Sequence, residues 1–257
     1  MFEEVWSYRG LIVAYVRAQY RLRYRQSIMG LLWAALPPLA TLGVAILVFH
    51  KVADVPAGDV PYAILTLSAV APWSFFASAL TFGVPSVVNA QPVVVRMSFP
   101  RAVLPLSAIG TSLVDLAVAC ALYLVVAFAY GHGLPATALW FPALLLVEIV
   151  LVTGIVLLGS AINTFARDIR LMVPLAVQLW LFITPVMYPL DSVPTRLRGV
   201  YLANPMTGLV ESFRRVLAYG QAPTLRFLLP ALLGAGVTIV IGSWYFAATE
   251  KRFADVI

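Results

Sequence analysis

Six long apolar runs, at residues 28–49, 62–84, 102–130, 138–165, 171–188 and 227–248, divide the chain, and most polar stretches between them are short. Each run is near the ~20 residues a helix needs to cross a bilayer. The pattern predicts an all-α integral membrane protein with six spans. Residues 1–27 are too polar to span. There Arg9, Arg17, Arg21, Arg23 and Arg25 interleave with Val5, Ile12, Tyr15, Val16 and Leu22. That fits a cytoplasmic amphipathic helix at the interface, its arginines reaching toward headgroups. A basic stop signal anchoring the N-terminus explains the same arginines. Pro37 and Pro38 fall inside the first run, where the helix should kink or restart.

The polar breaks set the orientation. Arg9, Arg17, Arg21, Arg23, Arg25, Arg96, Arg101, Arg167, Arg170, Lys251 and Arg252, eleven of the 17 basic residues, fall on one side of a six-span layout. The other six are Lys51, Arg196, Arg198, Arg214, Arg215 and Arg226, and five of these share one long connector. The positive-inside tendency therefore puts both termini in the cytoplasm. The long outer connector, residues 189–226, contains its own helix signal: Asn204-Pro205 is an N-cap followed by proline at the first helical position, and Gly220 is a stop. Leu209, Phe213 and Leu217 fall at helical spacing, with Glu211, Arg214 and Arg215 on the other side. About fifteen residues make a helix of roughly 22 Å, short of the roughly 30 Å hydrocarbon core. It should be re-entrant or interfacial.

Composition agrees with the pattern. Of 257 residues, 62% are apolar and 11% charged, against about 25% charged in an average globular chain. Residues 1–257 read as a single membrane domain. The net charge of +6 is no nucleic-acid footprint, because the basic residues sit at span ends, where they meet anionic lipid. The N-terminal stretch lacks the short apolar core and cleavage site of a removable signal peptide.

Chemistry is sparse. Cys120, His50 and His132 are too scattered for a disulfide or a metal cluster. No glycine loop precedes a lysine in the P-loop manner, and no Ser–His–Asp set is evident. The chain is therefore expected to bind no cofactor and to catalyse nothing itself. Asp115 and Glu148 fall within spans, either as a proton relay or as acids that hold helices together. With no basic partner expected at their depth, helix gluing is the simpler role. Trp33, Trp73, Phe75, Phe76 and Tyr188 offer faces on which sugar C–H surfaces could slide, or ordinary belt and packing positions. The connector at residues 89–105, NAQPVVVRMSFPRAVLP, is basic and broken by Pro92 and Pro100. It either orients two spans or receives force from outside.

These motifs line up with a known family. Residues 23–38, RYRQSIMGLLWAALPP, resemble the start of the first span in permease subunits of ABC-type polysaccharide exporters. The resemblance continues in order through Ala71-Pro72-Trp73-Ser74-Phe75-Phe76, Ser98-Phe99-Pro100-Arg101, Ala166-Arg167-Asp168-Ile169-Arg170, Thr184-Pro185-Val186-Met187-Tyr188-Pro189, Asn204-Pro205-Met206 and Phe253-Ala254-Asp255. O-antigen exporters are the nearest branch, with capsule and teichoic acid exporters beside them. An ABC permease for small hydrophobic compounds shares the layout but fits the Asn-Pro and Phe-Pro-Arg motifs less well. A membrane-embedded transferase lacks its polar cluster.

The resemblance implies a homodimer in the cytoplasmic membrane of a bacterium, bound to two copies of a cytoplasmic ATPase that supplies ATP and Mg. It implies ATPase coupling through Asn89, Gln91, Arg96 and Arg101, with Arg167, Asp168 and Arg170 as the second contact. A polyprenyl-pyrophosphate-linked glycan would present its headgroup to Arg21, Arg23 and Arg25, whose geometry suits phosphate. It would pass Trp33, Trp73, Phe75, Phe76 and Tyr188, and Pro185, Tyr188, Asn204, Phe213 and Arg214 would close the outer end.

Overall fold

The computed structural model describes residues 2–24, 30, 32–53, 60–97 and 99–256. Arg25, expected at the headgroup site, lies outside the described residues. Those described contain helices and turns and no strand. Two N-terminal helices, α1 (Phe2–Ser7) and α2 (Arg9–Tyr24), lead to α3 (Leu32–Val44), which widens into a π-helix over Ala45–Val52. Next come α4 (Tyr62–Gly83), the short connector helices α5 (Ser86–Asn89) and α6 (Gln91–Arg96), and α7 (Val103–Ala129). Helices α8 (Phe141–Phe165), α9 (Ile169–Ile183), α10 (Thr195–Ala203), α11 (Pro205–Leu217), α12 (Leu225–Thr249) and α13 (Phe253–Val256) complete the chain.

Helix α4 is the axis of the bundle. It is rich in small and aromatic residues, is buried along nearly its whole length, and touches α3, α7, α8, α9 and α11. On the other flank, α8 and α12 cross backbone to backbone: a Cβ added at Gly242 would lie 2.1 Å from the Gly154 carbonyl oxygen. Small residues permit such approach where apolar burial alone drives no association.

The two ends of the bundle differ. At one end Val5, Val87, Val94, Phe99, Leu157, Phe246 and Phe253 share a core, so the N-terminus, the connector, the end of α8 and the C-terminus are joined there. The Arg101 backbone N–H donates to Glu250 Oε1 at 2.5 Å across the same end. At the opposite end the Tyr123 hydroxyl donates to the Leu217 carbonyl at 2.7 Å and Thr137 Oγ1 to that of Val216 at 2.7 Å. The N-terminus, the connector and the C-terminus thus meet at one end of the described structure.

Five helical segments, Leu32–Val52, Tyr62–Gly83, Val103–Ala129, Ala136–Phe165 and Leu225–Arg252, are long and apolar enough to cross a membrane. The remaining run, expected over 171–188, is helical only to Ile183 within the 15-residue α9. Thr184 turns extended because Pro185 follows it, and α9 at about 22 Å is shorter than a hydrocarbon core.

The proline pair gives a second difference. Helix α3 continues through Pro37 and Pro38 without a restart, and the irregularity comes later, as the π-helix. The prolines remove the donors that would meet the Trp33 and Ala34 carbonyls. All four residues line a cavity, the setting in which a membrane helix tolerates freed carbonyls.

Candidate functional site

The N-terminal helix contributes Arg23 to that cavity. A Cβ at Gly110 would meet Val16 Cγ2 at 2.9 Å, Thr111 Oγ1 donates to Gln19 Oε1 at 3.3 Å, and Arg23 Nη1 donates to Asp115 Oδ2 at 2.8 Å. Partners advance along both helices in the same direction, so α2 runs parallel to α7. Asp115 lies twelve residues past Val103, where α7 begins, about 18 Å along it. The expectation that no basic partner reaches Asp115 is therefore corrected. Arg23 arrives from another helix, 92 residues away, which a span-by-span comparison of depth does not register.

Around this pair the polar groups converge. Ser78 Oγ on α4 lies 2.5 Å from Asp115 Oδ2 and 3.0 Å from Ser112 Oγ. The Arg23 guanidinium lies over the Phe82 ring at 4.2 Å from its centroid, a cation–π contact. Two cavities of about 390 and 560 Å³ meet here, with Arg23 and Phe82 lining both. The larger reaches Asn89 and Val93 on the connector, and the other reaches Trp33, Trp73 and Thr81. Arg23 keeps 29% of its side chain exposed against 9% for Asp115, so the cation faces the cavity and the acid backs it. Arg21 is exposed on α2.

The aromatics do not form one surface. Trp33, 51% exposed, and Trp73 line the smaller cavity. Phe75 and Phe76 are fully buried, Phe76 meeting Trp180 edge-on at 5.1 Å. Both phenylalanines are core residues in this chain, since the other side of α4 also packs. Tyr188 stands at the outer end, stacked on Phe49 at 5.6 Å and bonded through its hydroxyl to the Phe182 carbonyl at 2.9 Å.

The outer segment is assembled around α11. Asn204 accepts from the Met206 N–H at 3.1 Å as the N-cap, and its Nδ2 donates to Thr184 Oγ1 at 2.9 Å. Arg214 is wholly buried, paired with Glu211, and donates through Nη2 to the carbonyls of Pro185 at 2.7 Å and Val186 at 3.1 Å. Glu211 Oε1 accepts the Leu190 N–H at 2.9 Å. Glu211 and Arg214 do not form the exposed face their spacing suggested. The proline-ended turn after α9 leaves backbone groups without helical partners, and this ion pair satisfies them. Phe213 packs on Phe141 at 5.3 Å.

At the inner end Asn89, Gln91 and Arg96 are exposed on α5 and α6, as are Arg167, Asp168 and Arg170 at the turn between α8 and α9. The Arg170 N–H donates to Asn163 Oδ1 at 3.0 Å, closing that turn. Phe165 contacts Phe253 at 6.1 Å, and Phe253 shares a core with Val94 and Phe99, which brings both basic elements to one end.

Residues 10–218 match the family described as ABC-2 type transporter. The chain belongs to that family. It is 28% identical over 262 residues to the O-antigen export system permease protein RfbA of Myxococcus xanthus, covering 100% of this chain and 99% of that one. A protein of the same name from Klebsiella pneumoniae is 26% identical over 250 residues, 96% of this chain and 95% of that one. The polysialic acid transport protein KpsM of Escherichia coli is 24% identical over 237 residues, 91% of each.

In this ABC-2 type transporter, a multi-pass membrane protein, several site groups escaped the sequence pattern. Ser78, Ser112 and Gln19 look like isolated polar residues until α2, α4 and α7 meet. Glu250 is close to the C-terminus and far in sequence from Arg101. The i, i+3 spacing of Glu211 and Arg214 was the one available signal for their pair. Glu148 is fully buried on α8, and neither carboxyl oxygen has a hydrogen-bond partner among the described residues.

Proposed function

We propose that this chain is the channel-forming subunit of an ATP-driven exporter that moves a polyprenyl-pyrophosphate-linked polysaccharide, O-antigen-like, across the bacterial cytoplasmic membrane. The observation that carries this reading is the cavity between the connector and mid-bundle, whose exposed cation is Arg23. Guanidinium suits a pyrophosphate, and the neighbouring Trp33 offers a face to the first sugars. Two identical chains, each with five spans and the shorter α9 and with both termini inside, would form the conduit. Helix α9 supports pairing: Leu171, Met172, Leu175, Leu179 and Phe182 are exposed on a helix too short to span alone.

Two copies of a separate ATPase would bind ATP and Mg and press on α5, α6 and the turn at Arg167–Arg170. That surface is basic, exposed and continuous with the core holding the N-terminal helices. Movement there would reach α2, and so Arg23, directly. At the far end, the Glu211–Arg214 assembly would brace the exit. The relative named for polysialic acid keeps a capsule-type glycan as the second reading.

The test is ATP hydrolysis by the permease–ATPase complex in proteoliposomes. Stimulation by the lipid-linked glycan, with loss of glycan export in a deletion strain, is expected. Unstimulated hydrolysis together with continued export removes the exporter reading.

A further inference from the structure

An arginine in a cavity of a membrane protein faces a selection problem. Anionic phospholipids are abundant and also carry phosphate, so a bare guanidinium would be occupied by them. Here Arg23 is not bare. Asp115, 7% exposed, holds it at 2.8 Å, and the carboxylate is itself fixed by Ser78 at 2.5 Å. Phe82 covers the guanidinium at 4.2 Å. The pair is neutral overall, while the cation still meets both cavities.

We propose that Asp115 is the specificity-determining residue of this cavity, selecting a pyrophosphate-linked lipid over phosphodiester lipids. The inference rests on the exporter reading given above. A phosphodiester has a single negative charge and meets a guanidinium already neutralised by a fixed carboxylate. It gains little attraction and is repelled by Asp115. A pyrophosphate diester carries one charge on each phosphorus and reaches farther, so one phosphoryl group can meet the guanidinium while the other extends into the larger cavity toward the Gln19 and Asn89 amides, away from Asp115. Discrimination arises from a repulsive element built beside the attractive one. Ser78 acts as a positioning residue by keeping the carboxylate against Arg23.

The pair also explains the parallel course of α2. Without a partner at mid-bundle, Arg23 would place an unpaired cation among apolar helices, so Asp115 fixes how far the N-terminal helix extends along α7.

The experiment uses the full permease with its ATPase in phosphatidylcholine vesicles. The polyprenyl-pyrophosphate-linked glycan is titrated while phosphatidylglycerol replaces part of the phosphatidylcholine. In the wild-type complex the half-stimulating glycolipid concentration is expected to change little with phosphatidylglycerol. In Asp115→Asn it should rise roughly tenfold or more, because the anionic lipid now competes and the removed repulsion is of that size or larger. Arg23→Gln should abolish stimulation in either lipid. If Asp115→Asn fails to co-purify with the ATPase, Ser78→Ala carries the test, with a smaller shift in the same direction. An assembled Asp115→Asn or Ser78→Ala complex as indifferent to phosphatidylglycerol as wild type overturns the proposal and leaves the exporter reading standing. A wild-type complex with no glycolipid response overturns both.

Discussion

Arg214 is the most demanding residue in the chain. Its guanidinium is fully buried, and the Glu211 carboxylate beside it also holds the Leu190 backbone. Removing one member of such a pair leaves an uncompensated buried charge, a cost of about 3–5 kcal/mol. Arg214→Met should therefore lower the thermal unfolding midpoint of the detergent-solubilised protein markedly. The double variant Glu211→Leu with Arg214→Met should recover part of that loss. A single variant that melts like wild type would show that the pair does not hold the outer segment. The spacing of Glu211 and Arg214 was legible in the sequence, but their burial was not. Hydrophobic periodicity treats a charged residue as outward-facing, whereas here the proline-ended turn at Thr184–Pro185 supplies carbonyls that the inward Arg214 satisfies.

Between elements, the connector and the α8–α12 crossing carry separate tasks. Arg96 is exposed at the end of α6, whereas the Arg101 backbone is tied to Glu250. Arg96→Ala should leave membrane insertion and ATPase co-purification intact and lower glycolipid-stimulated hydrolysis severalfold, read by comparing ATPase rate with co-purified ATPase. An unchanged rate would take α6 out of the coupling surface. The crossing predicts a structural phenotype instead. Gly154→Leu would drive a side chain into the Thr238 backbone, whose carbonyl carbon is 2.3 Å from the Cβ position. Such overpacking costs about 1–3 kcal/mol or more. Its expected sign is reduced yield and a lower melting temperature, with Gly154→Ala intermediate. Both elements could be placed from the sequence, the connector by charge and proline and α8 by hydropathy. Their mutual approach could not, because a glycine in an apolar run reads the same whether it faces lipid or a second backbone.

For the molecule as a whole, the exposed apolar face of α9 and the open side of the cavity call for a cover. If a second copy provides it, cysteines at Leu175 in a Cys120→Ser background should crosslink into dimers in native membranes. Cysteines at Leu233, exposed on the far helix α12, should not. Crosslinking at Leu233 alone would move the interface to the other flank.

Sequence alone determined the class of this protein: the long apolar runs that make it an all-α membrane protein follow from local pattern. It also located the α11 cap, because capping by Asn204 is a contact two residues long. Tertiary structure decided which polar residues meet. Arg23 and Asp115, Arg101 and Glu250, and Arg214 and the Pro185 turn are each brought together by helices packing across many residues of sequence. The physical reason is that a buried charge needs every one of its polar partners, and beyond a neighbour on the same helix, such as Glu211 for Arg214, those partners come from segments distant in sequence.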